Sequence, residues 1–344
     1  MDEDEGNGGD ADVRVKEGLQ KQDPEPDLRV AIGSIQLKNP VMVASGTFGF
    51  GEEYSRFYNL EELGAIVVKG LTLRPREGNP SPRIVETPAG MLNSIGLQNP
   101  GVDAFIEREL PRLRGYRVPV IANISGDAFE DYFEIAERLD GVPGVAGLEV
   151  NVSCPNVAKG GLAFGLDPDS VYKVTRGIRK RVKTTVIVKL SPNVQDIVAI
   201  ARAAEQGGAD AVSLINTLTG MVIDVQRARP ALANIFGGLS GPCVRPVAVR
   251  MTWQVAREVG VPVIGMGGII TGRDALEFIM AGASAVAVGT GSFVQPRAAL
   301  EVVEGIRSYM VERGYASVEA LRGLAWNVHG VAPASPNDKG EPAR

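Results

Sequence analysis

The sequence is poor in the residues that build disulfide scaffolds, zinc clusters and histidine-dependent active sites. Its 344 residues include two cysteines, Cys154 and Cys243, and one histidine, His329. Two cysteines give no disulfide framework, so a reducing cytoplasm is the expected location. So few ligands exclude a Cys/His zinc cluster, and no metal site is predicted. A Ser–His or Cys–His catalytic pair could only use His329, which we expect to be a surface residue.

Two further absences exclude whole classes of function. No stretch reaches the 18 apolar residues of a membrane span, and the acidic N-terminus has neither the basic nor the apolar region of a signal peptide. The net charge is −5 with an isoelectric point of about 5.3, and no basic domain is present. Binding to a membrane or to nucleic acid is therefore not expected.

What is present is one repeating βα domain between two tails. Residues 1–26 form an acidic, Gly- and Pro-containing tail that we expect to be disordered, and residues 331–344 form a second, flexible tail. Residues 27–330 form the expected domain, which begins with a β-hairpin over Leu28–Leu37 that turns at Gly33 and Ser34.

Short apolar runs alternate with amphipathic helical patterns throughout this domain, as expected for parallel strands covered by helices. The predicted strands are Val41–Ala44, Ala65–Lys69, Pro119–Ala122, Gly147–Asn151, Val186–Lys189, Ala211–Ile215, Pro262–Met266 and Ala285–Val288. The predicted helices are Glu52–Leu63, Pro100–Leu113, Phe129–Leu139, Asp169–Arg181, Val194–Gln206, Pro246–Glu258, Gly272–Met280 and Ala298–Arg313. Eight such units favour a closed (β/α)8 TIM barrel over a doubly wound open sheet.

Polar residues collect at the C-terminal ends of these strands, where barrel active sites lie. They are Lys69, Asn123, Asn151, Lys189 and Asn216–Thr217. No carboxylate ends a strand, so a catalytic carboxylate pair has no support. Any single asparagine here could simply terminate a strand, but several polar ends on one face of the fold favour a binding site.

The glycines after strands seven and eight indicate a phosphate site. Gly267–Gly268 and Gly289–Thr290 occupy these positions, and Thr271 with Asp274 has the spacing of a helix N-cap. A phosphate site, two lysines, several amides and no metal ligands fit flavin mononucleotide (FMN). Lys189 is the candidate to stabilise the reduced flavin at its N1–C2=O edge.

A strand that delivers an amide and a thiol into a loop is typical of a catalytic strand end. The predicted strand Gly147–Asn151 is followed by Cys154 and Pro155, and loop-forming residues continue to Gly161. The alternative is that Cys154 is a small buried hydrophobe, as free cysteines often are.

Five motifs make the sequence resemble the dihydroorotate dehydrogenases from about Leu28 to His329. They are Ala44–Gly49 (ASGTFG), Thr87–Gly101 (TPAGMLNSIGLQNPG), Asn151–Asn156 (NVSCPN), Ile215–Asp224 (INTLTGMVID) and Gly237–Pro242 (GGLSGP). The cysteine in the third motif is similar to that of the class 1B catalytic subunit, because the membrane-associated class has serine there and an apolar N-terminal helix.

The resemblance implies a role for each matching residue. Cys154 would be the base that removes the C5 proton of dihydroorotate. The flavin contacts would be Ser45, Lys69, Gly70, Asn123, Asn151, Lys189, Ile215, Gly241, Gly267, Gly268, Gly289 and Thr290. Dihydroorotate or orotate would contact Lys69, Asn93, Ser94, Ile95, Gly96, Leu97, Asn151, Asn216 and Thr217.

The resemblance also implies partners. A second subunit would carry FAD and an iron–sulfur cluster and pass electrons to NAD, and a homodimer of this chain with two such subunits would form a heterotetramer. This chain has no dinucleotide-binding fingerprint and no cysteines for a cluster.

The long segment Gly70–Asn99 would be a functional loop over the flavin.

Three alternatives stay open at this point. A tRNA dihydrouridine synthase has a similar strand end but needs a basic RNA-binding surface. A non-redox barrel enzyme acting on a phosphorylated metabolite would need no flavin. A non-catalytic subunit would not need Lys69, Asn151, Cys154 and Lys189.

Overall fold

A computed structural model describes residues 25–152 and 164–327 of the chain. The predicted N-terminal tail up to residue 24, the segment 153–163 with Cys154, and residues from 328 onward with His329 lie outside the described residues. The expectations for these segments stay predictions.

The described strands are short, and most consist of apolar residues. In chain order they are β1 (Val30–Ile32), β2 (Ile35–Leu37), β3 (Val41–Val43), β4 (Ala65–Val67), β5 (Ile84–Thr87), β6 (Gly90–Asn93), β7 (Val120–Ile124), β8 (Val145–Asn151), β9 (Thr185–Lys189), β10 (Ala211–Leu214), β11 (Leu218–Gly220), β12 (Ile223–Asp224), β13 (Arg229–Pro230), β14 (Gly237–Ser240), β15 (Val263–Met266) and β16 (Ala285–Val288).

The helices follow the strands of the barrel. In chain order they are α1 (Val102–Ala104), α2 (Leu110–Leu113), α3 (Phe129–Leu139), α4 (Pro168–Arg179), α5 (Ile197–Gly207), α6 (Arg245–Ala256), α7 (Gly272–Met280), α8 (Gly291–Val294) and α9 (Ala298–Arg313). A π-helical stretch, Phe105–Glu109, joins α1 to α2, so the predicted helix over Pro100–Leu113 is continuous but irregular.

Eight parallel strands close into a barrel. Around the barrel the order is β10-β15-β16-β3-β4-β7-β8-β9, with β9 paired back to β10. The (β/α)8 prediction is confirmed, and the open-sheet alternative is wrong because the sheet has no free edge. The predicted helices Phe129–Leu139, Gly272–Met280 and Ala298–Arg313 are present with those bounds.

The predicted helix Glu52–Leu63 is wrong. The segment instead forms two single 3₁₀ turns, Tyr54–Arg56 and Leu60–Glu62. Asn59 separates them in an extended conformation, and its side chain accepts a hydrogen bond from the Glu61 backbone N–H at 3.0 Å. The apolar spacing that predicted a helix still buries Tyr54 and Leu60, but the cap at Asn59 prevents a continuous helix.

The long segment Gly70–Asn99 is not only a loop. Its hairpin β5–β6 joins β14 and β11, from the segment after β10, in a four-stranded antiparallel sheet of order β11-β14-β6-β5. Both segments leave the barrel at the C-terminal ends of strands. The small sheet therefore stands beside the barrel mouth.

The predicted hairpin is present as β1–β2, and it closes the opposite end of the barrel. The hydroxyl groups of Ser34 in its turn and Thr185 at the start of β9 are 2.7 Å apart. Ile32, Ile35 and Leu37 of the hairpin pack with inward-facing apolar residues of the barrel strands. The lower half of the interior is therefore an apolar core without a channel.

The beginning and end of the described chain lie together. Asp27 forms a parallel bridge with Ser317, in which the Asp27 N–H donates to the Ala316 carbonyl at 2.8 Å and the Val318 N–H donates to the Asp27 carbonyl at 3.2 Å. Within residues 25–152 and 164–327, no helix combines the length and the apolar character needed to cross a membrane.

Candidate active site

The inward faces of the barrel strands change from apolar to polar toward the mouth. Ile121 of β7 belongs to the lower apolar core, and Asn123, two residues further on the same face, is fully buried among polar groups. Strand β9 repeats the change from Ile187 to Lys189. Side chains predicted from strand ends therefore meet inside the mouth of the barrel.

Three predicted substrate contacts lie in one hydrogen-bonded group. The Asn216 amide donates to Asn151 Oδ1 at 3.2 Å, and the Thr217 backbone N–H donates to Asn216 Oδ1 at 2.9 Å. The Asn193 amide donates to the Thr217 carbonyl at 3.0 Å. Tyr132 of α3 donates its hydroxyl proton to the Asn151 carbonyl at 2.9 Å, which fixes the end of β8 from behind.

Lys69 lies half-buried just after β4, with other cations nearby. Burial lowers the pKa of Lys69, and the positive charges of Arg83 and Lys189 lower it further. A cation that is desolvated among like charges is stabilised when an anion binds. This end of the site therefore favours a ligand that carries a carboxylate or a similar anionic group.

Three glycine-containing loops meet at the predicted phosphate site. A Cβ atom on Gly268, whose φ is +78°, would lie 2.8 Å from the Gly241 carbonyl oxygen. Thr290 donates its hydroxyl proton to Ser240 Oγ at 2.8 Å. The loops after β14, β15 and β16 are therefore in contact and form what we call the glycine cradle, in which the close approach of Gly268 to Gly241 and Arg245 leaves no room for a side chain.

The predicted capping pair at α7 is present, but its side chains already accept hydrogen bonds from the backbone N–H groups at the start of the helix. Thr271 Oγ1 accepts from the Asp274 N–H at 3.3 Å, and Asp274 Oδ2 accepts from the Thr271 and Ile270 N–H groups at 2.9 and 3.0 Å. Burial acts to raise the pKa of Asp274, but these hydrogen bonds and the paired Arg245 hold it below its usual value. Any phosphate donors must then come from the Gly268 and Thr290 loops rather than from this carboxylate-capped turn.

The predicted substrate loop Asn93–Leu97 continues from β6 in the small sheet. Leu97 has a φ of +53°, an uncommon conformation for a leucine. Asn99 holds it there, because its buried amide donates to the Leu97 carbonyl at 2.6 Å and to Thr72 Oγ1 at 2.8 Å. Gly70 lies against both sides of the site, since a Cβ atom on it would lie 3.4 Å from Leu97 Cδ2 and 2.8 Å from Asn123 Oδ1.

The other predicted residues take separate positions around the mouth. Ser45 is buried after β3, and Ile215 is buried after β10, 3.4 Å from where a Cβ atom on Gly267 would be. Cys243 is exposed, with its thiol 3.7 Å from the Ser240 carbonyl. Cys154 lies outside the described residues, so its predicted role as the base stays a prediction.

Sequence reasoning missed several residues of this region, among them Arg83, Asn99, Glu149 and Ser213. Glu149 is the most informative of them. The sequence search considered carboxylates only at strand ends, and Glu149 lies two residues before the end of β8. Its side chain is 2% exposed and lies among the polar groups of the mouth. The alternation of Glu149 and Asn151 against Leu148 and Val150 already placed both polar residues on one face of the strand.

The arrangement fits a planar, polar-edged cofactor with a phosphate group. The glycine cradle lies at one edge, Lys69 and Lys189 supply positive charge, and amides line the wall between them. Among the described residues, Asn123 Oδ1 is a buried acceptor without a hydrogen-bond donor. A buried unsatisfied acceptor facing a site is the position for a ligand N–H group.

Comparisons with known proteins agree with this geometry. A family model for dihydroorotate dehydrogenase matches residues 27–310. A "Dihydroorotate dehydrogenase B (NAD(+)), catalytic subunit" of Trichlorobacter lovleyi is 60% identical over 299 residues, which are 87% of this chain and 98% of that protein. Proteins with the same name in Geotalea uraniireducens (58% over 299 residues, 87% of this chain) and Thermoanaerobacter sp. strain X514 (57% over 297 residues, 86% of this chain) are also covered over 98% of their length.

Proposed function

The chain belongs to the dihydroorotate dehydrogenase family, and we propose that it is the class 1B catalytic subunit, which oxidises dihydroorotate to orotate in pyrimidine biosynthesis. The observation that carries this proposal is the polar layer inside the barrel mouth, with amides and lysines on one side and a glycine cradle on the other. The names of the relatives support the NAD-linked class.

FMN is the cofactor that the site fits, and when bound it supplies the hydride acceptor. Gly241, Gly267–Gly268 and Gly289–Thr290 would hold its phosphate through the contacting loops. Asn123 and Lys189 would hold the polar edge of its ring, with the unsatisfied Asn123 Oδ1 as the acceptor for an N–H group. The predicted contacts of Ser45, Lys69, Gly70, Asn151 and Ile215 would complete the set.

The substrate would lie between the amide group and the loop Asn93–Leu97. Asn151, Asn216 and Thr217 already share hydrogen bonds, so little ordering is required of them when the pyrimidine ring binds. Lys69 would bind the substrate carboxylate, which offsets the positive charge of the nearby cations. The amides orient the ring, and Leu97 and Gly70 limit the space around it.

Cys154 would remove the proton from C5 as the hydride leaves C6 for the cofactor. The C5–H electron pair then forms the new C5=C6 double bond of orotate. A free thiol has a pKa of about 8.5, so the reactive thiolate fraction is small at neutral pH unless cations lower that value. Lys69, Lys189 and Arg83 are cations of the described mouth that could do so.

We place the electron-transfer subunit at one rim of the mouth. A cleft runs from Lys69 past Phe48 to Phe293. Phe57, Phe293 and Val294 expose 53%, 53% and 70% of their surface along this rim. Exposed apolar residues that continue a cleft from the flavin site are suited to a partner that takes electrons from it.

The second copy of the chain would bind elsewhere, on the segment that connects strands β11 and β14 of the small sheet. Ile223, Val225, Ile235 and Phe236 are all exposed in the segment between β11 and β14. None of these four residues lines the cleft that reaches Phe293, so we assign the two surfaces to different partners, with two electron-transfer subunits on a homodimer. The resulting heterotetramer would be cytoplasmic, as the low cysteine content indicates.

An absorption spectrum tests the proposed activity. The purified chain should show a bound flavin, identified by mass as FMN after heat release, and the flavin absorption should bleach on anaerobic addition of dihydroorotate. A colourless protein that does not take up FMN, or one that releases FAD, would contradict the proposal.

A pair of surface variants tests the two partners. The chain alone should oxidise dihydroorotate with a small artificial dye but not with NAD, and adding the electron-transfer subunit should restore NAD reduction. Val294→Asp should abolish that restoration without changing turnover with the dye. Phe236→Asp should instead change the mass of the complex in solution. Comparable NAD reduction by the chain alone would show that no partner is needed.

A further inference from the structure

The buried carboxylate of Glu149 connects the two residues that we assign to the polar edge of the flavin. It lies in register with Asn123 of β7, and Lys189 of β9 is in register with Ser213 of β10. Glu149 Oε2 accepts from Asn123 Nδ2 at 2.6 Å, and Oε1 accepts from Ser213 Oγ at 2.8 Å. Lys189 Nζ lies 3.9 Å from Oε2, and both side chains are over nine-tenths buried.

The hydrogen bond to Asn123 decides which way that amide points. A carboxylate accepts hydrogen bonds and does not donate them, so the Asn123 NH₂ group faces Glu149. Its oxygen then faces the opposite direction, toward Gly70, where a Cβ atom would lie 2.8 Å from it. Among the described residues this oxygen has no donor, so it is available to accept a hydrogen bond from a bound ligand.

The charge of Glu149 acts on the same region. A buried carboxylate beside the Lys189 ammonium offsets part of its positive charge. A positive charge near a flavin favours the anionic reduced form, and a negative charge opposes it. Because neither group is exposed to water, screening by solvent is weak.

We propose that Glu149 is a positioning residue of the flavin site, which fixes Asn123 as an acceptor for a flavin N–H group and keeps the midpoint potential of the bound flavin low by offsetting Lys189. This inference rests on the proposed function, since it requires FMN in the mouth. It assigns a role to a buried carboxylate that the proposed mechanism does not use.

Glu149→Gln tests the role of the charge, because glutamine keeps the shape and can still accept from Asn123. We expect Glu149→Gln to increase the ratio of the affinity for reduced flavin to that for oxidised flavin by about tenfold relative to the unmodified chain. For a two-electron couple, that change corresponds to about 30 mV. The midpoint potential, measured by equilibration with a reference dye, should rise by that amount. Ser213→Ala is the matched control, because it removes a hydrogen bond to the same carboxylate but no charge.

A merely structural role for Glu149 predicts a different result. Both variants would then lower the thermal midpoint of unfolding and leave the potential unchanged, which would overturn the inference. If Glu149→Gln alone does not fold, the pair Lys189→Met and Glu149→Gln/Lys189→Met keeps the test available, because removing both charges leaves no unpaired buried ion. With Lys189 absent, removal of the Glu149 charge should still raise the potential relative to Lys189→Met, because a negative charge near the flavin opposes its anionic reduced form; equal potentials for the two variants would overturn the inference.

The orientation of Asn123 has its own test. Asn123→Ala should weaken binding of oxidised FMN, followed by quenching of its fluorescence, by about tenfold as a ligand hydrogen bond is lost. Unchanged affinity would remove the acceptor role. If the unmodified chain binds no FMN at all, the proposed function fails together with the inference. If it binds FMN and the potential of Glu149→Gln does not rise, only the inference fails.

Discussion

The two halves of the barrel interior are built from the same strands but serve different purposes. In the lower half Ile121, Ile187 and Ala211 pack against the hairpin and exclude water. Two residues further along the same strands, Asn123, Lys189 and Ser213 replace them with amide, ammonium and hydroxyl groups. The apolar lower half stabilises the fold. The mouth can therefore contain buried charged and polar side chains in place of an apolar core.

The comparison predicts that a substitution at the mouth lowers cofactor binding or the rate of the reaction, whereas a substitution in the lower half lowers the free energy of unfolding. The largest effect at the mouth is expected for Gly268→Val, which should abolish FMN retention. Gly268 has a φ of +78°, and a side chain there would meet both the Gly241 carbonyl and Arg245. Flavin content per chain is the measurement. Gly141→Val is the matched control, since Gly141 has a φ of +69° with open space around it and lies away from the mouth. Equal flavin loss in both would show that backbone strain alone is responsible.

The next effect concerns the thiol assigned as the base. Cys154→Ser should slow anaerobic flavin reduction by dihydroorotate by a factor on the order of 10² to 10⁴, because a hydroxyl is a much poorer base. Flavin content should stay normal. Cys243→Ser should have no effect on the rate, since that thiol is exposed beside Ser240. In the unmodified enzyme the rate should rise with pH toward the thiol pKa. Similar rates for the two serine variants would remove Cys154 from the mechanism.

In the lower half the expectation is reversed. Ile121→Ala should lower the free energy of unfolding by about 2–5 kcal/mol, because it leaves a cavity in a core where Ile121 is fully buried. Urea unfolding of the flavin-free protein measures this loss. The affinity of the folded variant for FMN should be unchanged. A large loss of affinity would show that the two halves are not separable.

The smallest effect on stability is expected at Lys69, where a charge that the substrate requires makes the folded protein less stable. Burial lowers the pKa of Lys69, so its charged form is less favourable in the folded protein than in the unfolded chain. The unfolded chain binds more protons between that lowered pKa and the usual value of about 10.4, so stability rises with pH through this window. Lys69→Met should therefore slightly raise the thermal midpoint at neutral pH and lose orotate binding.

The gain from Lys69→Met should shrink as the pH rises through the usual lysine pKa, because above that value the unmodified side chain is neutral in both the folded and the unfolded state. Lys173→Met, on the exposed side of α4, controls for the added apolar side chain. A lower midpoint for Lys69→Met would mean that its charge is stabilised in the folded protein by a neighbour.

The barrel could be predicted from the sequence because strand and helix patterns are local. The apolar run Ala285–Val288 needed no information from elsewhere in the chain, and neither did the capping pair Thr271 and Asp274. The strand ends also predicted Asn151 and Asn216 together, since parallel strands bring their ends to one face.

What the sequence did not predict depends on contacts between distant segments. The hairpin β5–β6 pairs through β6 with β14, more than a hundred residues further along the chain, and no local sequence pattern indicates that pairing. Glu149 was missed because a strand-end search ignores interior positions, where a carboxylate is costly unless distant residues such as Ser213 satisfy it. Asn59 was missed as a helix stop because the apolar spacing continues across it.

The bridge between Asp27 and Ser317 suggests that the barrel could form from a chain whose termini are placed elsewhere. Because Asp27, near the start of the described residues, hydrogen-bonds beside Ser317, near their end, a linker could join the two ends, and new termini could be opened at the exposed turn near Gly141. Such a circular permutant would keep every strand pairing of the closed barrel. It would also allow a fused protein to be attached at a different point on the surface without interrupting a strand or a helix.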